Sequence, residues 1–219
     1  PRFYYDDEKQ QKKSAINWCS NDYLCMSIHE DIISKLSFTA HHSGVGSSGT
    51  RNISGTTGYH KQLEQTIATL HNRDAAIIFN SAFLANLSTL ATIGRSFPGL
   101  VFISDERNHA SIIEGIKSSG CAKQVFRHND VQHLEEKLAA LPTNQPKLIV
   151  FESIYSISGN VAPVKEVTAL AKKYNALTYV DEVHAVGLYN GNGAGVVASL
   201  QLQQQVDIIN GTFAKAFGT

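Results

Sequence analysis

From residue 60 onward, short apolar runs alternate with stretches of helical period, and that alternation leaves few folds open. The runs cover residues 75–79, 100–104, 147–151, 177–181 and 206–210. They are mostly apolar and too short for buried helices, as strands covered on both faces are. The helical stretches are 59–71, 83–95, 110–118, 131–141 and 164–174. In the fourth, Leu134, Leu138 and Leu141 recur at i, i+4 and i+7, while Glu135, Glu136 and Lys137 take the other side. Pro163 stands just ahead of the fifth, where a missing N–H costs little. The pattern predicts an α/β fold: a mostly parallel sheet with helices on both faces. Ligands in such sheets gather beyond the carboxyl ends of the strands. Ser104, Glu152, Asp181 and Lys215 all fall at or just after such ends, so topology alone allows them to converge.

Composition narrows the function. Of 219 residues 42% are apolar and 17% charged, with a formal net charge of zero. Such a chain can bury roughly 70–75% of its unfolded surface. No apolar run is long enough to span a bilayer, and the neutral balance gives no reason to expect nucleic acid as partner. Cys19, Cys25 and Cys121 are odd in number and lack metal spacing, which fits a reducing compartment. No pair of histidines has convincing metal spacing, so no metal is expected.

The N-terminal part reads differently. Residues 4–13 are charged and predict a solvated turn or short hairpin. Residues 43–58 are rich in Gly, Ser and Thr, but Arg51, Asn52 and Ile53 in their middle favour a ligand-holding loop over a linker. The expected division is an N-terminal segment, 1–45, and a ligand-binding large domain, 46–219. The first residue is Pro, and the last lies four beyond Lys215. The expectation is a piece of a longer protein, with more of the large domain and a small C-terminal domain beyond it.

The chemistry concentrates in two segments. Tyr-Val-Asp181-Glu-Val-His184-Ala-Val-Gly puts a carboxylate at the end of one buried run. Asn-Gly-Thr212-Phe-Ala-Lys215-Ala-Phe-Gly puts an amine just beyond the next. A pyridoxal phosphate (PLP) enzyme needs this pair. The amine forms a Schiff base with the aldehyde, and the carboxylate pairs with the pyridinium nitrogen so that the ring is an electron sink. Ser81-Ala82-Phe83 follows an apolar run and opens a helix, so the backbone amides at 82 and 83 can meet a phosphate.

The segments NWCSNDYL (17–24), GTRNISGT (49–56), SDERNHASII (104–113), VFRHND (125–130), FESIYSISGNVAP (151–163), YVDEVHAVGLY (179–189) and GTFAKAFG (211–218) carry a resemblance almost end to end. With them the chain resembles the α-oxoamine synthases, a family of fold-type I PLP enzymes. The resemblance implies the large domain of a PLP-dependent transferase, aspartate aminotransferase-like in fold. GTRNISGT and AKQVFRHND are most similar to the branch that condenses glycine with succinyl-CoA to 5-aminolevulinate, CoA and carbon dioxide, the entry to haem and tetrapyrrole synthesis. Sister acyltransferases remain open: glycine C-acetyltransferase, 8-amino-7-oxononanoate synthase or the serine palmitoyltransferase type. A PLP-fold subunit without chemistry also remains open, although the presence of Lys215 weighs against it. A nucleotide-binding dehydrogenase does not fit, because NSAFLAN after residues 75–79 has no GxGxxG.

By resemblance, Lys215 is the Schiff-base lysine and the base for the α-proton, and Asp181 the partner of the ring nitrogen. His184 would meet the phenolic oxygen and His109 would stack on the ring. Ser156 and Thr212 would join Ser81, Ala82 and Phe83 in holding the cofactor. Asn21, Thr50, Asn52, Ile53, Ser104 and Lys123 would face the substrates, with the loop at 50–53 reaching a partner subunit's site in a homodimer. The family's arginines for the two substrate carboxylates would lie outside these 219 residues. A bacterial cytoplasm and a mitochondrial matrix both suit such a protein. Cys25 and Ala214 stand where the family pattern has glycine.

Overall fold

A strand exists only beside another strand, and pairing sorts the apolar runs into those that form the sheet and one that does not. The structure, a computed structural model, describes residues 2–6, 8 and 11–219. It begins with β1 (Arg2–Asp6) and β2 (Lys12–Ile16), paired antiparallel from Arg2↔Ile16 to Asp6↔Lys12. The expected hairpin is thus present, with Asp7, Lys9 and Gln10 of its turn outside the described residues. A 3-10 turn at Met26–Ile28 and α1 (Glu30–Ser43) follow. Next come α2 (Gly58–Leu70), α3 (Ala82–Ser96), β3 (Val101–Asp105), α4 (Ala110–Ser119), β4 (Ala122–Phe126), α5 (Val131–Ala139) and β5 (Lys147–Glu152). The chain continues through α6 (Val164–Lys173), β6 (Leu177–Asp181), α7 (Val196–Ser199) and β7 (Ile208–Asn210).

The main sheet has the order β4-β3-β5-β6-β7, and every neighbouring pair is parallel. Successive residues of a strand point to opposite faces, and the two cores divide accordingly. Ile103, Ile149, Phe151 and Val180 pack on one face with Leu134 and Leu138 of α5 and Val164, Val167 and Leu170 of α6. Phe102, Leu148, Val150 and Tyr179 pack on the other with Leu90 of α3 and Ile112 and Ile116 of α4. Helices therefore cover both faces, as the alternation predicts.

Two strand expectations need correction. Residues 75–79 are apolar but form no strand: among the described residues they pair with none, and Ile77 is 69% exposed. Hydrophobicity made the segment fit for a sheet, but no strand lies alongside it. Instead, the Ile78 N–H donates to Glu64 Oε1 at 2.9 Å. The fifth strand is β4, absent from the sequence prediction because AKQVF mixes polar and apolar residues. It is an edge strand, with Lys123 and Val125 exposed and Phe126 buried.

The described chain forms two units. One comprises Gly49–Thr212; the other comprises Pro1–Ser48 with Phe213–Thr219. The sequence expectation put its boundary at 45/46 and kept the last seven residues with the large domain.

Candidate active site

The carboxyl ends of β5 and β6 gather the polar groups of the larger unit. Asp181 ends β6 with its carboxylate buried, at 5% exposure. Its Oδ1 accepts from the Val183 N–H at 2.9 Å. Its Oδ2 accepts from Asn86 Nδ2 at 2.7 Å and from Asn210 Nδ2 at 3.5 Å. These donors are neutral. Burial pushes the Asp181 carboxyl above its ordinary range, and Asn86, the Val183 N–H, Asn210 and nearby His109 pull against it.

Asn86 joins this carboxylate to α4. Its Nδ2 also donates to Ser111 Oγ at 2.9 Å, and its Oδ1 accepts from Tyr179 Oη at 2.7 Å and Asn210 Nδ2 at 3.1 Å. Burial and the neighbouring Asp181 raise the Tyr179 phenol, which keeps it a donor. Ser111 Oγ lies 2.7 Å from His109 Nδ1.

His109 caps α4, its backbone N–H held by Glu152 Oε1 at 2.6 Å. Its ring is exposed and meets Phe83 edge-on, with centroids 6.3 Å apart. Phe83 belongs to the first turn of α3, where Ser81 Oγ caps the Leu84 N–H at 3.2 Å. The N–H groups of Ala82 and Phe83 have no intrahelical acceptor, and the helix dipole favours an anion beside them. The structure therefore brings Ala82, Phe83, His109, Glu152 and Asp181 together.

The other expected residues are placed as follows. Ser104 is buried at the end of β3, its Oγ accepting from Asn108 Nδ2 at 2.9 Å and donating to the Asp105 carbonyl at 3.2 Å. Lys123 is exposed on the edge strand β4, and Ser156 is exposed in the turn after β5. His184 and Thr212 are half-buried. Thr50, Asn52 and Ile53 are exposed on a loop that Arg51 ties down. The Arg51 guanidinium meets Glu64 Oε1 at 2.9 Å and Oε2 at 3.0 Å, and that partner holds the Glu64 carboxyl below its ordinary range. Gly55 is required in this loop because a Cβ there would collide with the backbone of Gly49 and Thr50.

Asn21 and Lys215 belong to the smaller unit. Lys215 sits on a turn closed by Gly218 N–H to the Lys215 carbonyl and Thr219 N–H to the Phe213 carbonyl, both 3.0 Å. Gly218 has φ +72, and a Cβ there would strike the backbone of Met26 and Ser27. Ala214 is not among the residues with positive φ, so its lack of glycine strains nothing. Cys25, the other missing glycine, has φ 55 and ψ 31, in the left-handed region. Sequence reasoning missed Asn86, Ser111 and Asn210. The available signal for Asn86 was an asparagine inside a helix, where it is a poor helix former unless its side chain is bound.

Residues 13–219 match the family "Aminotransferase class I and II". Among curated proteins, 5-aminolevulinate synthase of Paracoccus denitrificans is 54% identical over 201 residues, which is 92% of this chain and 49% of that protein. The mitochondrial 5-aminolevulinate synthase of Schizosaccharomyces pombe is 52% identical over 92% of this chain and 36% of its own length. The chain thus spans half or less of these two relatives. Among solved structures, a serine palmitoyltransferase variant from S. paucimobilis with bound PLP–myriocin aldimine superposes with a TM-score of 0.90 at 35% identity, covering 94% of this chain and 53% of that chain. A match over nearly the whole length, on a parallel sheet whose strand ends carry these polar groups, means that the chain belongs to the aminotransferase class I and II family.

Proposed function

We propose that the protein is a PLP-dependent acyltransferase that condenses glycine with succinyl-CoA, releasing 5-aminolevulinate, CoA and carbon dioxide. The observation that carries this reading is the Asp181 carboxylate, buried at a strand end and held by neutral donors. A buried anion in that state is costly, and a cationic ring nitrogen would offset the cost. The N-terminus of α3 suits a phosphate and the exposed His109 ring suits stacking, so the residues present fit the cofactor. Relatives at 52–54% identity bear the name of this activity.

When bound, PLP supplies an aldehyde that condenses with amines and a ring that takes up the electron pair left at the α-carbon. Asp181 would keep the ring nitrogen protonated, and His184 would hydrogen-bond the phenolic oxygen. Ser81, Ala82, Phe83, Ser156 and Thr212 would hold the phosphate end. Lys215 would hold the group through its amine and would take the α-proton of glycine at Nζ. It follows β7, the neighbour of β6, by five residues, a span of at most about 18 Å of chain. Asn21, Thr50, Asn52, Ile53, Ser104 and Lys123 face the substrates. Ile53 is 87% exposed, as a residue that a second subunit covers in a homodimer would be. Among the described residues no helix is long and apolar enough to cross a membrane. The bacterial and mitochondrial relatives support a bacterial cytoplasm or a mitochondrial matrix as the compartment.

Incubation with PLP, borohydride reduction and peptide mapping test the reading. An adduct at Lys215, lost in Lys215→Ala, is expected; its absence from the unmodified chain would sink the catalytic role. Turnover with succinyl-CoA, acetyl-CoA and longer acyl-CoAs then separates this activity from its sister acyltransferases.

A further inference from the structure

Asn86 is 1% exposed and uses every hydrogen-bonding position that an amide has. Its two N–H groups go to Asp181 Oδ2 and Ser111 Oγ; its oxygen receives Tyr179 Oη and Asn210 Nδ2. The amide cannot be turned over. Inverted, its oxygen would face the carboxylate of Asp181 and its nitrogen would face the Asn210 nitrogen.

Following the hydrogens outward sets the next group as well. Ser111 Oγ already receives an N–H from Asn86, so its own hydrogen is free to donate, and His109 Nδ1 lies 2.7 Å away. The Ser111 backbone N–H also points at that nitrogen, at 3.2 Å. With two donors aimed at it, Nδ1 must carry a lone pair, and the proton of the neutral ring belongs on Nε2.

We propose that Asn86 is the positioning residue of this site, orienting Asp181 directly and fixing the His109 tautomer through Ser111. The inference rests on the reading of Asp181 and His109 as the groups that meet the cofactor ring. One buried amide then aligns both. It touches no substrate and acts only through its neighbours. A fully satisfied polar network in a dry interior is stiff, and losing one member leaves the others searching for partners.

The test uses the full chain, labelled with 15N-histidine, with the His109 signals assigned by His109→Gln. Imidazole 15N–1H correlation spectra without PLP are expected to show the Nε2–H form of His109 in the unmodified chain. A larger Nδ1–H fraction than in the unmodified chain is expected in both Ser111→Ala and Asn86→Ala, where the backbone N–H of residue 111 still opposes it. Absorbance titration with PLP should show binding weakened about tenfold or more in Asn86→Ala, and less than about threefold in Ser111→Ala, because only the former loses the bond to the carboxylate. An Nδ1–H form in the unmodified chain overturns the proposal, and so does a tautomer that moves in neither variant. Unchanged PLP affinity in an Asn86→Ala chain that melts cooperatively overturns the orienting role. If Asn86→Ala does not fold, Ser111→Ala decides the relay: an unmoved tautomer refutes it and a moved one supports it. An unmodified chain that shows the expected tautomers yet binds no PLP refutes the cofactor reading instead, and leaves Asn86 as the residue that sets His109.

Discussion

Cys25 holds a left-handed backbone at φ 55 that costs an L-residue about 1–2 kcal/mol and glycine nothing. Glycine gives part of that back through the greater freedom of its unfolded chain. Cys25→Gly is therefore expected to stabilise the protein by roughly 0.5–1 kcal/mol, read as a higher denaturation midpoint with an unchanged slope. An unchanged midpoint would mean that the segment relaxes around the cysteine without strain. The sequence carried this residue as a departure from family pattern; only the backbone angle turned it into strain. The same limit applies in the site. Asp181 could be singled out from its chemistry and strand-end position, whereas His109, the cap of α4, was singled out only through the family resemblance. Asn86 was not: its four partners come from α4, β6 and β7, up to 124 positions away along the chain.

The five helices expected from residue 59 onward were legible to within a few residues, because a 3.6-residue period and a cap are local properties, whereas α1 and α7 were not anticipated. Thr57, Ser81, His109 and Asp130 all cap through their side chains within two residues of the predicted starts. Strands depend on a partner, so the apolar segment 75–79 was misjudged and the polar edge strand β4 was overlooked. Between α3 and α4 the decisive residues are small. A Cβ on Gly115 would stand 2.9 Å from the Asn86 carbonyl oxygen, 3.1 Å from Leu90 Cβ and 3.2 Å from Leu87 Cα, two of them backbone atoms that cannot swing aside. Alanine gains about 1 kcal/mol of helix propensity but costs about 1–3 kcal/mol by overpacking. Gly115→Ala is expected to lower stability by up to about 2 kcal/mol in thermal unfolding. The first residue of α2, Gly58, has open space where a Cβ would stand, and Gly58→Ala serves as the unhindered control, expected to be neutral to stabilising. Equal effects from the two changes would refute the packing argument. Because α4 carries His109 and α3 carries Asn86, pushing the helices apart should also weaken PLP binding.

At the scale of the whole chain, two buried groups set opposing responses to pH. Burial pushes Glu182 from 4.5 up to about 7, while the Val197 N–H, 3.0 Å from Oε1, pulls it down and Asp181 adds to the rise. A carboxyl raised in the fold binds its proton more tightly there than in the unfolded chain. Its contribution is therefore fully present below about 4.5 and lost as pH climbs through about 7, amounting to about 3 kcal/mol. His71 works the other way. Burial, with Arg73 nearby, lowers its imidazole below 6.5. A depressed base binds its proton better when unfolded, so its penalty appears as pH falls below 6.5. Just below 6.5 the folded chain holds a proton on Glu182 that the unfolded chain lacks, and lacks one on His71 that the unfolded chain holds. The two slopes oppose each other there, and the unmodified chain should show a shallower profile in that range than a chain lacking either group. Glu182→Gln keeps an acceptor for Val197 but does not titrate, so its stability should fall as pH drops below 6.5. His71→Leu removes the opposing group, so its stability should rise as pH drops from about 7 toward 4.5. Urea unfolding of the three proteins at intervals between pH 5 and 8 measures these slopes. Parallel profiles would mean that neither group changes its proton affinity on folding, and that the buried Glu182 beside the site stays charged.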